Sequence, residues 1–171
     1  CIANSAMVLN LPALHCDWVR IGYMLYGGSP LSECTAASLD LVPVMTLRSQ
    51  VLAVKKIDAG ESVGYGATWV SDSDTYIGVL AMGYGDGYPR SAPEGTPILI
   101  NGEIYPLVGR VSMDLITVDL GHHTEIQPGA DVIFWGEGLP IDEVAKHCGT
   151  IGYELMAQLT ARIERVVIRE E

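Results

Sequence analysis

From residue 43 onward, the sequence is a succession of short apolar runs of strand length, separated by turn-forming residues. Residues 44–57 alternate, with Met45, Leu47 and Val51 on one face and polar residues such as Arg48 on the other. A period of two predicts half-buried strands. Further strands are predicted at residues 76–82, 97–100, 104–108, 115–120, 132–135 and 165–171, and a hairpin turn at Asn101-Gly102. The sequence therefore predicts a mainly β fold with two short helices. The first, at 140–148, has Pro140 at its start and Gly149 after its end. The second, at 153–162, is preceded by Thr150 as its cap.

Residues 1–40 differ from the rest of the chain in their pattern of apolar residues. Short apolar runs at 7–9 and 19–26 are separated by polar residues, and the second ends in the turn sequence Gly-Gly-Ser-Pro at 27–30. Such runs are typical of buried parallel strands and predict the last strands of an α/β barrel. The domains expected are thus an incomplete barrel end at 1–40 and a β domain at 41–171. The chain starts at Cys1 without a methionine, so we expect it to be part of a longer protein.

Composition and charge exclude several classes of protein. A hydrophobic content of 49% argues against general disorder. Ten Lys and Arg residues stand against 21 Asp and Glu, a net charge of −11. Nucleic-acid backbones and anionic membranes both require clustered cations, so neither is an expected partner. No apolar run is long enough to span a bilayer. We expect a cytoplasmic location.

The cysteines and histidines show no metal-binding pattern. Cys1, Cys16, Cys34 and Cys148 form no Cys-x-x-Cys pair, and the four histidines are scattered along the chain. We expect reduced, packed thiols and no metal site.

Three glycine-flanked segments interrupt the β pattern. They are Gly-Tyr-Gly-Ala-Thr-Trp at 64–69 (segment A), Gly-Tyr-Gly-Asp-Gly-Tyr-Pro-Arg at 83–90 (segment B) and Gly-Arg-Val-Ser-Met-Asp at 109–114 (segment C). Glycine within a strand pattern marks a bend, a bulge or a close approach to a ligand. Three such places within fifty residues predict one site built from loops on a rigid β scaffold.

Each marked residue has a structural and a functional interpretation. Tyr65 is either an aromatic packed at a bulge or a general acid or base. Asp86 either caps its own turn or belongs to a rigid loop tip with Tyr84, and Met113 taken alone is a core residue. Polar or glycine turns after barrel strands hold phosphate groups, so residues 4–6 and 20–23 could bind one. Arg20 could equally be a surface residue. The residues alone thus indicate a loop-built small-molecule site and leave open whether it holds a phosphate.

Taken together, these segments resemble alanine racemase, a family of pyridoxal-phosphate enzymes. The similarity runs from end to end of the chain and rests on residues 3–6, 17–27, 63–69, 82–90, 108–114, 135–140 and 151–155. It implies an N-terminal (β/α)8 barrel followed by a mostly β C-terminal domain, in a homodimer that interconverts L- and D-alanine and supplies D-alanine for peptidoglycan. On this pattern residues 1–40 end the barrel, and 41–171 form the β domain.

The resemblance also implies a role for each matching residue. Tyr65 becomes one of two catalytic bases and reaches the cofactor of the other subunit. Arg20 becomes the hydrogen-bond donor to the pyridine nitrogen, and Met113 meets the substrate carboxylate through its backbone. The cofactor phosphate is held by Ser5, Gly22, Tyr23 and Tyr153. Tyr84 narrows the entry to the site, supported by Asp114.

The lysine that carries the cofactor belongs to the N-terminal half of such enzymes. The chain's lysines do not lie in the family's lysine motif; they are Lys55, Lys56 and Lys146. We therefore expect this chain to be inactive alone. The alternatives are a racemase of broader specificity, a serine racemase of the same fold, and a non-catalytic β module for dimerisation or binding.

Overall fold

A computed structural model describes residues 2–168 of the 171-residue chain. It contains three short α-helices, α1 (Ser5–Asn10), α2 (Ile141–His147) and α3 (Gly152–Gln158). Its eight strands are β1 (Leu47–Ile57), β2 (Ser62–Val63), β3 (Trp69–Val70), β4 (Thr75–Ala81), β5 (Pro97–Ile100), β6 (Glu103–Pro106), β7 (Leu115–Gly121) and β8 (Asp131–Trp135). The prediction of a mainly β fold is confirmed.

Six of the strands form one antiparallel sheet that nearly closes on itself. Their order is β6-β5-β8-β1-β4-β7. The long strand β1 pairs with β8 through its first half and with β4 through its second, with a register shift between Val51 and Ala53. Just after β6, Leu107 bridges Val118 of β7, which brings the two edges of the sheet together. Strands β2 and β3 form a separate two-stranded hairpin, and residues 64–68 of segment A connect them.

The core lies inside this barrel-like sheet. Leu47 and Val51 are buried on β1 while Arg48 is exposed, as the alternation predicted. The largest core side chains are three aromatics. Tyr88 of segment B stacks on Trp135 with ring centroids 5.9 Å apart and meets Phe134 edge to face at 5.3 Å. Segment B is therefore anchored in the core through one of its own side chains.

The predicted turn at Asn101-Gly102 is confirmed. Ile100 pairs with Glu103, and the two residues between them have φ values of +49° and +89°. Both central residues of a two-residue hairpin turn need positive φ, which asparagine and glycine adopt most readily. Helix α2 also lies where the terminal proline and glycine predicted it.

Several local predictions were wrong, and the first concern the barrel strands expected in residues 1–40. Residues 7–9 lie in helix α1 rather than a strand, because Asn4 Oδ1 accepts a hydrogen bond from Met7 N at 3.1 Å and caps the helix. The second apolar run ends in a 3₁₀ turn at Tyr23–Tyr26. In this part of the described chain, Asn4 and Arg20 form a single parallel β-bridge.

Other wrong predictions concern the C-terminal part. Helix α3 ends at Gln158, four residues before its predicted end, and its N-cap is Ile151. The Thr150 hydroxyl donates to Glu154 instead of capping the helix. Residues 165–168 form no strand, and the remainder of that predicted strand, 169–171, lies outside the described residues.

The thiol prediction is confirmed in part. Cys16, Cys34 and Cys148 are free thiols, and Cys1 lies outside the described residues. Cys148 packs against the core, and burial raises the pKa of its thiol to about 11. Cys16 is exposed and therefore not packed as predicted. No helix within residues 2–168 is both long and apolar enough to cross a bilayer.

Candidate functional site

The three glycine-flanked segments converge, with segment C in the middle. On one side, segment B is tied to it by two backbone hydrogen bonds. Tyr84 N donates to Ser112 O at 3.0 Å, and Gly85 N donates to Met113 O at 2.9 Å. These bonds set Tyr84 and Met113 next to each other on the surface.

On its other side, segment C packs backbone to backbone against segment A. Gly64 and Gly109 have φ values of +82° and +70°, a region that favours glycine. A Cβ on Gly109 would lie 2.8 Å from Val63 O, and one on Gly64 would lie 3.0 Å from Arg110 N. Glycine at both positions thus permits the close approach that positions Tyr65.

Tyr65, Met113 and Tyr84 all face outward from this cluster. Their exposed fractions are 70%, 52% and 39%. Arg110 lies beside the Tyr65 turn, since a Cβ on Gly66 would be 3.8 Å from its Nη1. A phenol, a thioether chain and a cation are therefore available on one surface for a ligand or a second molecule.

A second group of predicted residues forms around the start of the chain. Ser5 is buried, and its Oγ accepts a hydrogen bond from Gly22 N at 3.1 Å. Arg20 N donates to Ala3 O at 2.7 Å, which holds the two predicted phosphate-binding stretches side by side. A Cβ on Gly22 would meet no atom within 4 Å, so the space beside it is open. Ser5 thus bonds to an exposed glycine backbone with open space beside it.

Tyr23 links this group to helix α3. It is buried, its hydroxyl donates to Asp142 Oδ1 at 2.5 Å, and its ring stacks on Tyr153 with centroids 4.0 Å apart. Burial raises the pKa of the Tyr23 phenol well above its usual range, and the bond to Asp142 adds to the shift. The buried Tyr23 hydroxyl is thus hydrogen-bonded to Asp142, and the exposed Tyr153 ring is positioned by stacking on the Tyr23 ring.

We predict that Tyr23→Phe lowers the free energy of unfolding by about 2 kcal/mol, because it removes a hydrogen bond to a carboxylate in a buried setting. Tyr105→Phe is the matched control, since the Tyr105 hydroxyl donates to Glu103 Oε2 at 2.9 Å on the surface. We expect about 0.5 kcal/mol or less for the control. Urea unfolding of both variants measures the difference, and equal losses would contradict this assignment of Tyr23.

The donor set of the second group suits a phosphorylated cofactor. Ser5 Oγ accepts from Gly22 N, which leaves its own proton free to donate to an anion. The Tyr153 side chain is exposed, and the exposed Arg20 guanidinium contacts Ile2 O at 3.1 Å. Hydroxyl donors with one permanent cation fit a phosphate with an attached ring. Within residues 2–168, no group of three or more His, Cys, Asp or Glu side chains is placed to hold a metal ion.

The two groups share no contact of the kinds described above within residues 2–168. Within the described residues, Tyr65 shares no hydrogen bond, ion pair or ring contact with Ser5, Arg20 or Tyr153. Two cavities formed by the described residues, of about 550 and 210 Å³, are lined by other residues. The chain therefore presents two separate groups of predicted site residues.

Sequence reasoning missed two residues that hold these groups together. Asp142 accepts from both Tyr23 OH and Ser29 N, at 2.5 and 2.9 Å. Arg162 contacts Asp86 and Asp114, at 3.3 and 2.6 Å. Asp142 looks like an ordinary acidic residue in the first turn of a helix, and Arg162 follows no motif. Their partners lie 48 to 119 positions away in sequence, so no local signal could reveal them.

Comparison with known proteins gives two family matches. The family model described as "Alanine racemase, C-terminal domain" matches residues 44–167, and "Alanine racemase, N-terminal domain" matches residues 1–30. An alanine racemase of Aeromonas hydrophila is 59% identical over 162 residues, 95% of this chain and 45% of that protein. A biosynthetic alanine racemase of Pseudomonas aeruginosa is 52% identical over 164 residues, 96% of this chain and 46% of that protein.

Solved structures agree with the sequence comparisons. The crystal structure of the biosynthetic alanine racemase from Pseudomonas aeruginosa superimposes with a TM-score of 0.94, covering 96% of this chain and 46% of that one at 52% identity. The alanine racemase from Streptomyces lavendulae gives 0.92, covering 99% and 45% at 37% identity. The chain thus spans about half the length of the relatives it matches.

Proposed function

Because this chain belongs to the alanine racemase family, as its C-terminal portion, we propose that it forms part of a cytoplasmic enzyme that interconverts L- and D-alanine. The observation that carries the proposal is 59% identity over 95% of the chain to an alanine racemase. The proposed domains are a barrel end at 1–40 and a β domain at 41–171, which the two family matches at 1–30 and 44–167 support. D-alanine made in this way would supply peptidoglycan synthesis.

We propose that the group around Ser5 binds pyridoxal phosphate, the cofactor of this family. Ser5, Gly22, Tyr23 and Tyr153 would hold the phosphate, Tyr23 through its backbone because its hydroxyl is bonded to Asp142. When bound, the cofactor withdraws electrons and makes the α-proton of an amino acid acidic. Arg20 would donate a hydrogen bond to the ring nitrogen. Arginine stays protonated and cannot accept a proton from the ring nitrogen. The ring would then withdraw electrons less strongly, and side reactions would be suppressed.

Tyr65 is the proposed base and acid on one face of the substrate. Its hydroxyl would remove the α-proton of one enantiomer or deliver a proton to the other, while a second base acts on the opposite face. Met113 would meet the substrate carboxylate through its backbone, and Tyr84 would narrow the entry. A narrow entry admits a methyl side chain and excludes larger ones.

The site would be completed across a homodimer. This is supported by the exposure of Tyr65, Met113 and Tyr84, and by the lack, within the described residues, of any hydrogen bond or ring contact between Tyr65 and the Ser5 group. A second copy placed against segments A to C would supply the missing half of each site.

We also propose that residues 1–171 do not racemise alanine by themselves. Lys55 and Lys56 lie on β1 and Lys146 on α2, and none of them lies in the lysine motif of the family, so none is proposed to carry the cofactor. The test compares D-alanine formation from L-alanine by the full-length protein and by this chain alone. We expect activity in the first and none in the second. A full-length protein inactive on alanine but active on serine would contradict the proposal.

A further inference from the structure

Arg162 joins two loops of the candidate site. Its Nε lies 3.3 Å from Asp86 Oδ1, and its Nη2 lies 2.6 Å from Asp114 Oδ1. Asp86 belongs to the turn Tyr84–Asp86 of segment B, while Asp114 directly follows Met113 of segment C. The planar guanidinium presents donors in a fixed fork, so one arginine can hold two carboxylates at a defined separation.

Asp86 transmits this contact to the Tyr84 turn. Its Oδ2 accepts a hydrogen bond from Gly83 N at 2.9 Å, and its side chain is only 14% exposed. One carboxylate oxygen is thus bonded to the start of the turn and the other to Arg162. The position of the guanidinium therefore fixes the position of the turn that carries Tyr84.

The backbone beside Arg162 binds the same turn. Thr160 N donates to Asp86 O at 3.0 Å, and Thr160 Oγ1 donates to Gly85 O at 2.9 Å. A Cβ on Gly85 would overlap Arg162 Nη1, at 2.2 Å. A side chain at position 85 would therefore displace the guanidinium from its place across the turn.

The contact contributes little to stability, because Arg162 is 51% exposed and solvent weakens ion pairs at the surface. Its effect is on the relative position of segments B and C. We propose that Arg162 is a positioning residue that holds the Tyr84 turn against the Met113 segment and thereby sets the width of the substrate entry. This inference rests on the proposed function, since it concerns the entry to the same site.

The first test measures whether Arg162 holds the two segments, independently of activity. Hydrogen exchange is followed in the full-length protein and in its Arg162→Gln variant. We expect faster exchange at the amides of residues 83–88 and 112–115, by about tenfold. Arg48→Gln is the matched control, because Arg48 contacts Asp131 at 3.2 Å and is 54% exposed, away from the site. Unchanged exchange in segments B and C, or equal changes in both variants, would overturn the inference.

The second test measures substrate range. In Arg162→Gln we expect kcat/KM for serine, relative to alanine, to rise about tenfold as the entry widens, with the melting temperature unchanged. Arg162→Lys should lie between this variant and the wild type, because a lysine can reach one carboxylate but not hold both. An unchanged serine-to-alanine ratio would overturn the role in substrate range. If the wild type does not racemise alanine, the proposed function fails while the exchange experiment still decides whether Arg162 positions the segments.

Discussion

Tyr65→Phe in the full-length protein is expected to lower alanine racemisation by about a thousandfold, because it removes one of two proton-transfer groups. Protein stability should not change, since Tyr65 is 70% exposed and its hydroxyl has no hydrogen-bond partner within the described residues. Solvent deuterium should still enter the α-position of one enantiomer of alanine but not of the other. Deuterium entering both at the wild-type rate would contradict the role of Tyr65.

Tyr105→Phe is the control for this substitution. It also removes a phenolic hydroxyl, but Tyr105 lies on β6, beside a cavity that no proposed site residue lines. We expect wild-type racemisation. Loss of activity in both variants would point to a general effect of removing a hydroxyl rather than to proton transfer.

A mixing experiment tests whether Tyr65 acts in its own subunit or in the other. Tyr65→Phe is combined with a second full-length variant that retains Tyr65 but lacks the lysine that carries the cofactor. If Tyr65 acts across a dimer, mixed dimers contain one complete site and recover activity. If it acts within its own subunit, every site in the mixture lacks one group and activity stays absent.

Gly83→Ala is expected to destabilise the β domain by about 3 kcal/mol and to abolish most activity. A Cβ at this position would lie 2.2 Å from Met113 O and 2.5 Å from Asp114 N. Both are backbone atoms and cannot rotate away, so segments B and C must separate. Inserting atoms into tightly packed structure costs about 1–3 kcal/mol, and a collision with backbone lies at the upper end. Urea unfolding and the racemisation assay measure the two effects.

Gly60→Ala separates this collision from backbone strain. Gly83 has φ of −158°, which any residue adopts, so its loss comes from the collision alone. Gly60 has φ of +85°, and a Cβ there would meet no atom within 4 Å. We expect a loss of about 1 kcal/mol with activity retained. A Gly83→Ala variant as stable and active as the Gly60→Ala variant would show that segments B and C need not pack closely.

Local patterns predicted most of the β scaffold. Alternation on β1 and the Asn101-Gly102 turn depend on a period of two and on the φ preferences of single residues, both of which can be read from adjacent positions. The same reasoning failed for residues 7–9. Their apolar run suits either a buried strand or a helix, and the hydrogen bond from Met7 N to Asn4 resolves the ambiguity only in three dimensions.

The motifs indicated the candidate residues but not the residues that hold them in place. Tyr65, Tyr84 and Met113 could be selected because each stands beside glycines in a recognisable segment. Asp142 and Arg162 could not, because the residues they hold are distant in the chain and a single charged side chain has no local signature.

The amino-acid sequence by itself determined the strand order along the chain, the family and the chemical groups available for catalysis. These follow from local periodicity, turn preferences and motif identity. The tertiary structure decided which groups meet: segment C lies between segments A and B, Tyr23 is bonded to Asp142, and Ser5 is bonded to Gly22. The physical reason is that hydrogen bonds, ion pairs and backbone contacts depend on distance in space, and folding brings together residues that the chain separates by tens of positions.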